Sequence, residues 1–315
     1  MVPITHVLSV PNSRHLYEVP YNLFLQSFPH LILANLRLNR IMPESMPAWK
    51  GLLDRVLNPK RSIKIVIVGK YTAQLDSYLS LRKALLHAGT AMSTQVQEIW
   101  VESSMLEEES RLTDPEDFKD AWDKVYSADG ILVPGGFGER GTEGMIKGIE
   151  YARVNKVPFL GICLGMQMAV AEFARNVMKL NDANSEEFAP NAEHKVIVNM
   201  PELSKTHMGG TMRLGARTAQ ITDKKSMAYQ MYGATATERH RHRYEVNPDM
   251  VSAIEAAGLQ FSGKDDIRME ILELPTDVHP YYFATQAHPE YMSRPLKPSA
   301  PFSGLIRAAT ILMQV

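Results

Sequence analysis

Apolar residues occur along the chain in short continuous runs that alternate with segments of helical periodicity. Five runs have the length and composition of buried strands: Ile63–Gly69, Val96–Val101, Asp129–Pro134, Val157–Ile162 and Tyr282–Ala287. Helix-forming segments separate or follow them, at about Leu75–Ala88, Gly141–Asn155, Gln167–Phe173 and Pro301–Met313. Strands that alternate with helices predict an α/β fold, with a doubly wound, mostly parallel sheet and flanking helices.

The first 61 residues follow a different pattern. Candidate elements there are interrupted by Pro3, Pro11, Pro20, Pro29, Pro43 and Pro47. One amphipathic helix is predicted over Ala48–Leu57, and Asn58–Ser62 has the composition of a linker. We therefore predict two parts, with 1–61 as the end of a preceding domain plus a linker, and 62–315 as one globular domain.

Composition narrows the class of protein. The net charge of -1 gives no general attraction to nucleic acid or to anionic membranes. A single cysteine in 315 residues excludes internal disulfides and suits a reducing compartment. No apolar run reaches transmembrane length, and the N-terminus has no secretory signal pattern. We expect a cytoplasmic protein with no nucleic-acid partner, no membrane partner and no metal site.

The one cysteine, Cys163, lies in the sequence Gly161-Ile-Cys-Leu-Gly165, between a predicted strand and a predicted helix. Glycines two residues away on each side of a nucleophile are typical of the nucleophile elbow. The turn places the thiol at a helix N-terminus, where partial positive charge favours the thiolate. A small buried side chain is the alternative interpretation, but a core cysteine needs no flanking glycines.

A cysteine nucleophile needs a base and a group that orients that base. His288-Pro-Glu290, after the last predicted strand, supplies both, and we expect an extended segment to place the two side chains on one side. Gly135-Gly136 follows another strand and can bring a backbone N–H close to a reacting carbon. With the N–H of Leu164, this glycine pair completes a predicted oxyanion hole. A bare turn and a solvated glutamate are the alternative interpretations.

Three segments in this order resemble the class I (triad) glutamine amidotransferases: Pro134-Gly-Gly-Phe-Gly138, Gly161-Ile-Cys-Leu-Gly-Met-Gln167 and His288-Pro-Glu290. Within that class, the similarity over about residues 62 to 310 is to the glutaminase domains of the CTP synthase family. It is carried by Gly69-Lys-Tyr71, Gly135–Gly144, Asp182-Ala-Asn-Ser185, Gly209–Gly215 and Arg239-His-Arg-His-Arg-Tyr-Glu245. Residues 1 to 60 more loosely resemble the end of the family's synthetase domain.

The resemblance implies hydrolysis of glutamine to glutamate and ammonia, with Cys163, His288 and Glu290 as the triad. It implies that Gly136 and Leu164 form the oxyanion hole. The residues that it implies hold glutamine are Gly136, Leu164, Gly165, Met166, Gln167, Glu187 and Arg243. Arg140 and Arg213 are implied contacts for a GTP effector or for a lid. A basic nucleic-acid patch is the alternative for Arg239–Arg243, but aromatic residues and wider basic context are lacking.

In the family, ammonia passes to a synthetase domain, where ATP and Mg²⁺ support the amination of UTP to CTP in pyrimidine nucleotide biosynthesis. The phosphate-binding loop Gly-x-x-x-x-Gly-Lys-Ser/Thr does not occur in this sequence, so we expect no CTP synthesis by this chain alone. The expected partners are a synthetase domain or full-length subunits, in the family's tetramer or filament. One alternative stays open, a non-catalytic form that regulates the full-length enzyme. Another thiol hydrolase of γ-glutamyl substrates is disfavoured by the Gly209–Gly215 and Arg239–Glu245 motifs.

Overall fold

The computed structural model describes residues 2–40, 44–200 and 212–312. The strands in these residues are β1 Arg61–Gly69, β2 Thr94–Glu102, β3 Gly130–Val133, β4 Phe159–Ile162, β5 Asn184–Ser185, β6 Lys195–Asn199, β7 Arg213–Gln220, β8 Thr235–His242, β9 Tyr244–Val246, β10 Gln260–Asp265, β11 Arg268–Glu273 and β12 Tyr282–Thr285. The α-helices are α1 Glu18–Leu25, α2 Phe28–Asn35, α3 Pro47–Leu57, α4 Leu79–Ala91, α5 Glu108–Thr113, α6 Pro115–Tyr126, α7 Thr142–Val154, α8 Leu164–Asn176, α9 Met227–Tyr232, α10 Val251–Ala256 and α11 Ala300–Leu312.

The main sheet has nine strands in the order β2-β1-β3-β4-β12-β11-β10-β7-β8. The first five strands pair in parallel, as expected for an α/β fold, and the fold class is confirmed. The other half is antiparallel, from β12 through β11, β10 and β7 to β8. The predicted sheet was mostly parallel, so the length of the antiparallel half is a correction. A small second sheet, β5-β6-β9, lies beside the main one.

Alternation along the central strands divides the core into two layers. On β1, Val66 and Val68 face one apolar cluster, which includes side chains of α7 and α8. Ile65 and Ile67 face the opposite cluster, which includes side chains of α4 and α11. Helices therefore cover both faces of the parallel half. Because β3, β4 and β12 are parallel, their carboxyl ends lie at one edge of the sheet.

The register of the parallel strands determines what meets at that edge. Val133 pairs with Gly161, and Ile162 pairs with Thr285. The residues that follow these pairs therefore leave the sheet side by side. They are Pro134 onward, Cys163 onward and Gln286 onward, and the backbone N–H of Cys163 donates to the carbonyl of Thr285 at 2.7 Å.

Prolines do not prevent helices in the N-terminal segment, contrary to our prediction. Pro20 and Pro29 lie in the first turns of α1 and α2, where a missing N–H removes no intrahelical bond. The predicted amphipathic helix is confirmed as α3, which buries Leu52 and Leu53 against Tyr17. The division of the chain at residue 61 stays a prediction. Among the described residues, no helix is long and apolar enough to cross a membrane.

Candidate active site

The turn between β4 and α8 holds Cys163 in a conformation that side chains rarely adopt, with φ 53° and ψ −103°. A Cβ on Gly165 would lie 2.1 Å from the carbonyl oxygen of Val133, and one on Gly161 would lie 2.9 Å from the Cβ of Ala284. Both glycines are therefore required by close packing, as the elbow pattern predicts. The turn places Cys163 as the N-cap of α8, at the positive end of the helix dipole.

Gly165→Ala is expected to lower the free energy of unfolding by about 1–3 kcal/mol, because a backbone carbonyl cannot move aside easily. Gly51→Ala is a matched control within α3, where the nearest atom to the added methyl is Arg55 Nη1 at 3.6 Å. That control should stabilise the helix by about 0.5–1 kcal/mol. Chemical denaturation of both variants makes the comparison. Equal stability of the two variants would contradict the packing argument.

His288 and Glu290 form a close pair at the end of β12. The Nδ1 of His288 donates to Glu290 Oε1 at 2.7 Å, and each residue is only 8% exposed. The pairing agrees with our prediction, but the predicted geometry was wrong. The segment is not extended, because Pro289–Met292 forms a short 3₁₀ helix that brings Glu290 back to the Nδ1 edge of the imidazole.

The electrostatics of His288 reflect two opposing effects. Burial alone lowers the pKa of a histidine, whereas contact with Cys163 and Glu290 raises the pKa of His288, and the rise prevails. The imidazolium form is therefore favoured beside the thiol. This arrangement suits a thiolate–imidazolium pair.

The loop after β3 presses against this pair. A Cβ on Gly135 would lie 2.7 Å from His288 Cε1 and 3.3 Å from the Cβ of Cys163. Gly136 comes next, with its α-carbon beside the side chain of Leu164. The predicted oxyanion-hole residues Gly136 and Leu164 are thus neighbours, next to Cys163.

Lys70, directly after β1, supports the loop and was missed as a functional residue. Its Nζ donates to the carbonyls of Phe137 and Gly138, and its side chain is 2% exposed. Glu187 is the carboxylate that interacts with it most strongly. The Gly-Lys-Tyr motif at a strand end was the available signal. Lysine is normally a surface residue, so its burial could not be predicted.

Burial lowers the pKa of Lys70 from 10.5 to about 8. Between these pH values the unfolded chain binds a proton that the folded chain does not, so this lysine's contribution to stability rises with pH. Lys70→Met lacks this titration. The melting temperature of Lys70→Met relative to the parent should therefore be highest below pH 8 and should fall as the pH rises to 9.5.

The control for Lys70→Met is Lys83→Met, a lysine of α4 that is exposed. Melting temperatures of the three proteins across the pH series are the measurement. A Lys70→Met curve parallel to that of the parent would show that Lys70 is not titrating in this range.

A second missed residue is Gln286, two positions before His288. Its Nε2 donates to Cys163 Sγ at 3.6 Å, and its Oε1 accepts from Gln167 Nε2 at 3.2 Å. Gln167 also donates to the carbonyl of Tyr244 at 3.2 Å. Gln167, predicted to hold glutamine, is therefore already part of a buried amide chain that ends at the thiol.

Four of the predicted glutamine-binding residues, Gly136, Gln167, Glu187 and Arg243, line one small cavity with Cys163. Its remaining lining residues are Phe137, Arg241, His242 and Tyr244. The other predicted contacts, Leu164, Gly165 and Met166, do not line it. The side chain of Met166 is fully buried in the core. Any contact from Met166 would therefore come from its backbone.

Opposite charges converge on this cavity. Burial raises the pKa of Glu187, while Lys70, an N–H from Gly138 and the charge of Arg243 oppose the rise. The guanidinium of Arg241 lies 5.2 Å from the ring centroid of Phe137, at the cavity wall. An acidic and a basic group therefore lie in the same cavity as the thiol.

The two arginines predicted to contact GTP already have carboxylate partners in the chain. Arg140 pairs with Glu102 at 3.2 Å and stacks on Tyr71 at 5.2 Å. Arg213 pairs with Asp265 and with Glu270. Residues 209–211 of the Gly209–Gly215 motif lie outside the described residues. A role for these arginines in GTP binding stays a prediction.

Comparison with known proteins gives a consistent result. The family model for class I glutamine amidotransferases matches residues 73–308. CTP synthases from Dictyostelium discoideum and Drosophila melanogaster are 48% and 44% identical, each over 96% of this chain. The alignments cover 57% and 49% of those proteins, so the chain spans about half the length of the curated relatives it matches.

A solved structure also matches: the glutaminase domain of Trypanosoma brucei CTPS, described with bound acivicin. It is 35% identical with a TM-score of 0.71, and the match covers 79% of this chain and 94% of that one. The predicted resemblance is thus confirmed. The chain belongs to the class I glutamine amidotransferase family and, within it, to the glutaminase domains of CTP synthases.

Proposed function

We propose that this chain hydrolyses glutamine to glutamate and ammonia with Cys163 as nucleophile, His288 as acid and base, and Glu290 as the residue that orients His288. The observation that carries the proposal is the 2.7 Å bond from His288 to Glu290, at the sheet edge where Cys163 caps α8. Cys163 follows β4, whereas His288 and Glu290 both follow β12, so two neighbouring strand ends supply the three residues. Such convergence is typical of sites in α/β sheets.

The first half of the reaction forms a thioester. The Cys163 thiolate attacks the γ-carbonyl carbon of glutamine, and the C–S bond forms as the carbonyl becomes an oxyanion. Backbone N–H groups of Gly136 and Leu164 stabilise that oxyanion, since the first N–H groups of a helix have no intrahelical partner. The imidazolium of His288 then gives its proton to the departing amide nitrogen, and ammonia leaves as the C–N bond breaks.

The second half consumes water. Neutral His288 takes a proton from a water molecule, whose oxygen attacks the γ-glutamyl thioester. The C–S bond breaks, glutamate departs, and the thiolate–imidazolium pair is restored. Glu290 accepts the Nδ1–H of His288 throughout and stabilises the imidazolium without exchanging protons.

Recognition of glutamine rests on the charged groups of the cavity. Glu187 suits the α-ammonium of the substrate, and Arg243 suits the α-carboxylate or a carboxylate network around it. Because both lie with Cys163 around one cavity, the substrate's amide end can face the thiol while its charged end is held.

In the context of the family, we propose that the ammonia supplies a synthetase domain. There ATP and Mg²⁺ would support the amination of UTP to CTP, with GTP as the effector of the glutaminase. The proposed partners are that domain or full-length CTP synthase subunits. The chain spans about half of the relatives' length, which is consistent with such a partner.

The experiment is a glutaminase assay on the purified chain, with and without GTP, followed by a CTP assay with free ammonia, UTP and ATP. We expect glutamate release, a weak response to GTP and no CTP. Absence of glutamate release under all conditions would overturn the catalytic proposal.

A second candidate function is regulation of full-length CTP synthase by a non-catalytic chain. It is supported by the extent of the match, which covers about half of the relatives. The two functions separate with Cys163→Ala, which should abolish hydrolysis but leave any effect on added full-length enzyme unchanged.

A further inference from the structure

A cluster of three metal-ligating side chains lies behind the proposed glutaminase site. His240 and His242 alternate with exposed residues along β8 and point inward, and Glu270 of β11 faces them. All three are at most 5% exposed. The far edge of the sheet curls back here, since the N–H of His288 donates to the carbonyl of Arg239 on β8 at 2.8 Å.

The distances between the ligand atoms match a coordination polyhedron. His240 Nδ1 lies 3.2 Å from His242 Nε2 and 3.5 Å from Glu270 Oε2, and the three atoms lie within 4.8 Å of one another. For a tetrahedral zinc ion with ordinary bonds to nitrogen and oxygen, neighbouring ligand atoms are about 3.4 Å apart. The two distances from His240 Nδ1 therefore match those between neighbouring ligands of one ion.

Outer contacts orient two of the three ligands. His242 Nδ1 donates to the carbonyl of Tyr244 at 2.9 Å, which leaves the Nε2 lone pair directed into the cluster. Arg213 donates to Glu270 Oε1 at 3.1 Å, which orients the carboxylate. Such outer contacts usually fix the ligands of metal sites. Arg213 is itself balanced by Asp265, so the cluster does not carry an uncompensated cation.

The environment of Glu270 Oε2 favours a metal site over a simple hydrogen-bonded histidine pair. Without an ion, His240 Nδ1 can donate to His242 Nε2, but Glu270 Oε2 stays buried and makes no hydrogen bond with any described residue. Leaving a buried carboxylate oxygen without a partner is costly. An ion held by all three atoms satisfies it.

We propose that His240, His242 and Glu270 bind a divalent transition-metal ion of the Zn²⁺ type, with a fourth position left for water. The two-histidine, one-carboxylate donor set suits such ions better than Mg²⁺ or Ca²⁺. No metal site was expected from the sequence, although alternate histidines on a strand lie on the same face. The third ligand comes from a different strand.

The test measures zinc content by elemental analysis after expression with added Zn²⁺, and visible absorption after equilibration with Co²⁺ as the spectroscopic probe. The parent should hold one metal ion per chain and show tetrahedral Co²⁺ bands. Glu270→Gln keeps the shape and the contact with Arg213 but loses the anionic ligand, so the affinity should fall by about 100-fold. His240→Ala should bind less tightly still.

Two controls exclude other sites. In the second cluster, Asp182 and Glu193 are exposed and His194 is half-buried, and His194→Ala should leave metal binding unchanged. Cys163→Ser should also keep the ion, because the thiol is not a ligand. If the parent holds no metal by either route, or if Glu270→Gln binds as well as the parent, the site does not exist.

Discussion

Cys163→Ala is expected to reduce glutamine hydrolysis by about 10⁴-fold or more, because no other group can form the thioester. The fold should survive. Alanine occupies the same strained backbone position, and the lost sulfur is a small part of a residue at the edge of the core. Steady-state kinetics and a thermal melt of the same preparation test both halves of the expectation.

Because Cys163 is the only cysteine, the nucleophile can also be identified chemically. A glutamine-mimicking electrophile such as a diazo-ketone analogue should label Cys163, and the Cys163→Ser protein should take up none. Gly165→Ala, which distorts the elbow without removing the thiol, provides a comparison. Label mapped to another residue, or parent-level turnover in Cys163→Ser, would remove Cys163 from the proposed mechanism.

The convergence at the proposed active site could be predicted from the sequence because it depends on parallel strands. Each of β3, β4 and β12 is a short apolar run, and parallel strands end at the same edge. Gly135, Cys163 and His288 each follow one of these runs. The need for glycines at the elbow could also be predicted from the sequence, since a strand-to-helix turn this tight leaves no room for side chains.

The outer edge of the antiparallel half could not be predicted in the same way, because its last strand, β8, buries mostly polar side chains. The inward positions of β8 include Glu238, His240 and His242, so most of its buried side chains are polar. A pattern of hydrophobic positions contains no signal for such a strand. The backbone bond from His288, just after β12, to Arg239 of β8 brings these buried polar side chains close to the proposed active site.

The pairing of His288 with Glu290 was predicted on an incorrect geometric argument. In the structure Pro289 begins a 3₁₀ turn, and this turn brings the carboxylate to the Nδ1 edge of the ring. Proline suits the first position of such a turn, as it does that of an extended segment. The local sequence therefore could not distinguish the two, although both place the side chains together.

Glu290→Gln should lower kcat by about 10- to 100-fold, a smaller loss than that caused by Cys163→Ala. The thiol is intrinsically nucleophilic and depends less on its base than a serine hydroxyl does. Contact with Glu290 contributes to the raised pKa of His288, so its removal lowers that pKa. The imidazolium then loses its proton at lower pH, and the alkaline limb of the pH–rate profile should move toward acid.

The melting temperature should change little in Glu290→Gln. Glu290 Oε2 and Glu238 Oε2 are both buried without a hydrogen bond among the described residues. Burial and, less strongly, the charge of Glu290 raise the pKa of Glu238 to about 7, so repulsion between the two carboxylates is a cost in the parent. A glutamine amide removes that charge and offers a donor toward Glu238, which offsets the weaker contact with His288.

The matched control is Glu172→Gln on α8. Glu172 is fully buried, and its carboxylate accepts two hydrogen bonds from Arg153, at 2.7 and 2.9 Å. Its loss leaves a largely buried guanidinium without its counterion and should lower the free energy of unfolding by about 3 kcal/mol, with kcat retained. Glu290→Gln should therefore lower kcat with little change in melting temperature, whereas Glu172→Gln should lower stability with kcat retained. An unchanged kcat and pH profile in Glu290→Gln would show that Glu290 does not orient His288. If, in addition, the melting temperature falls as far as in Glu172→Gln, the role of Glu290 is in stability alone.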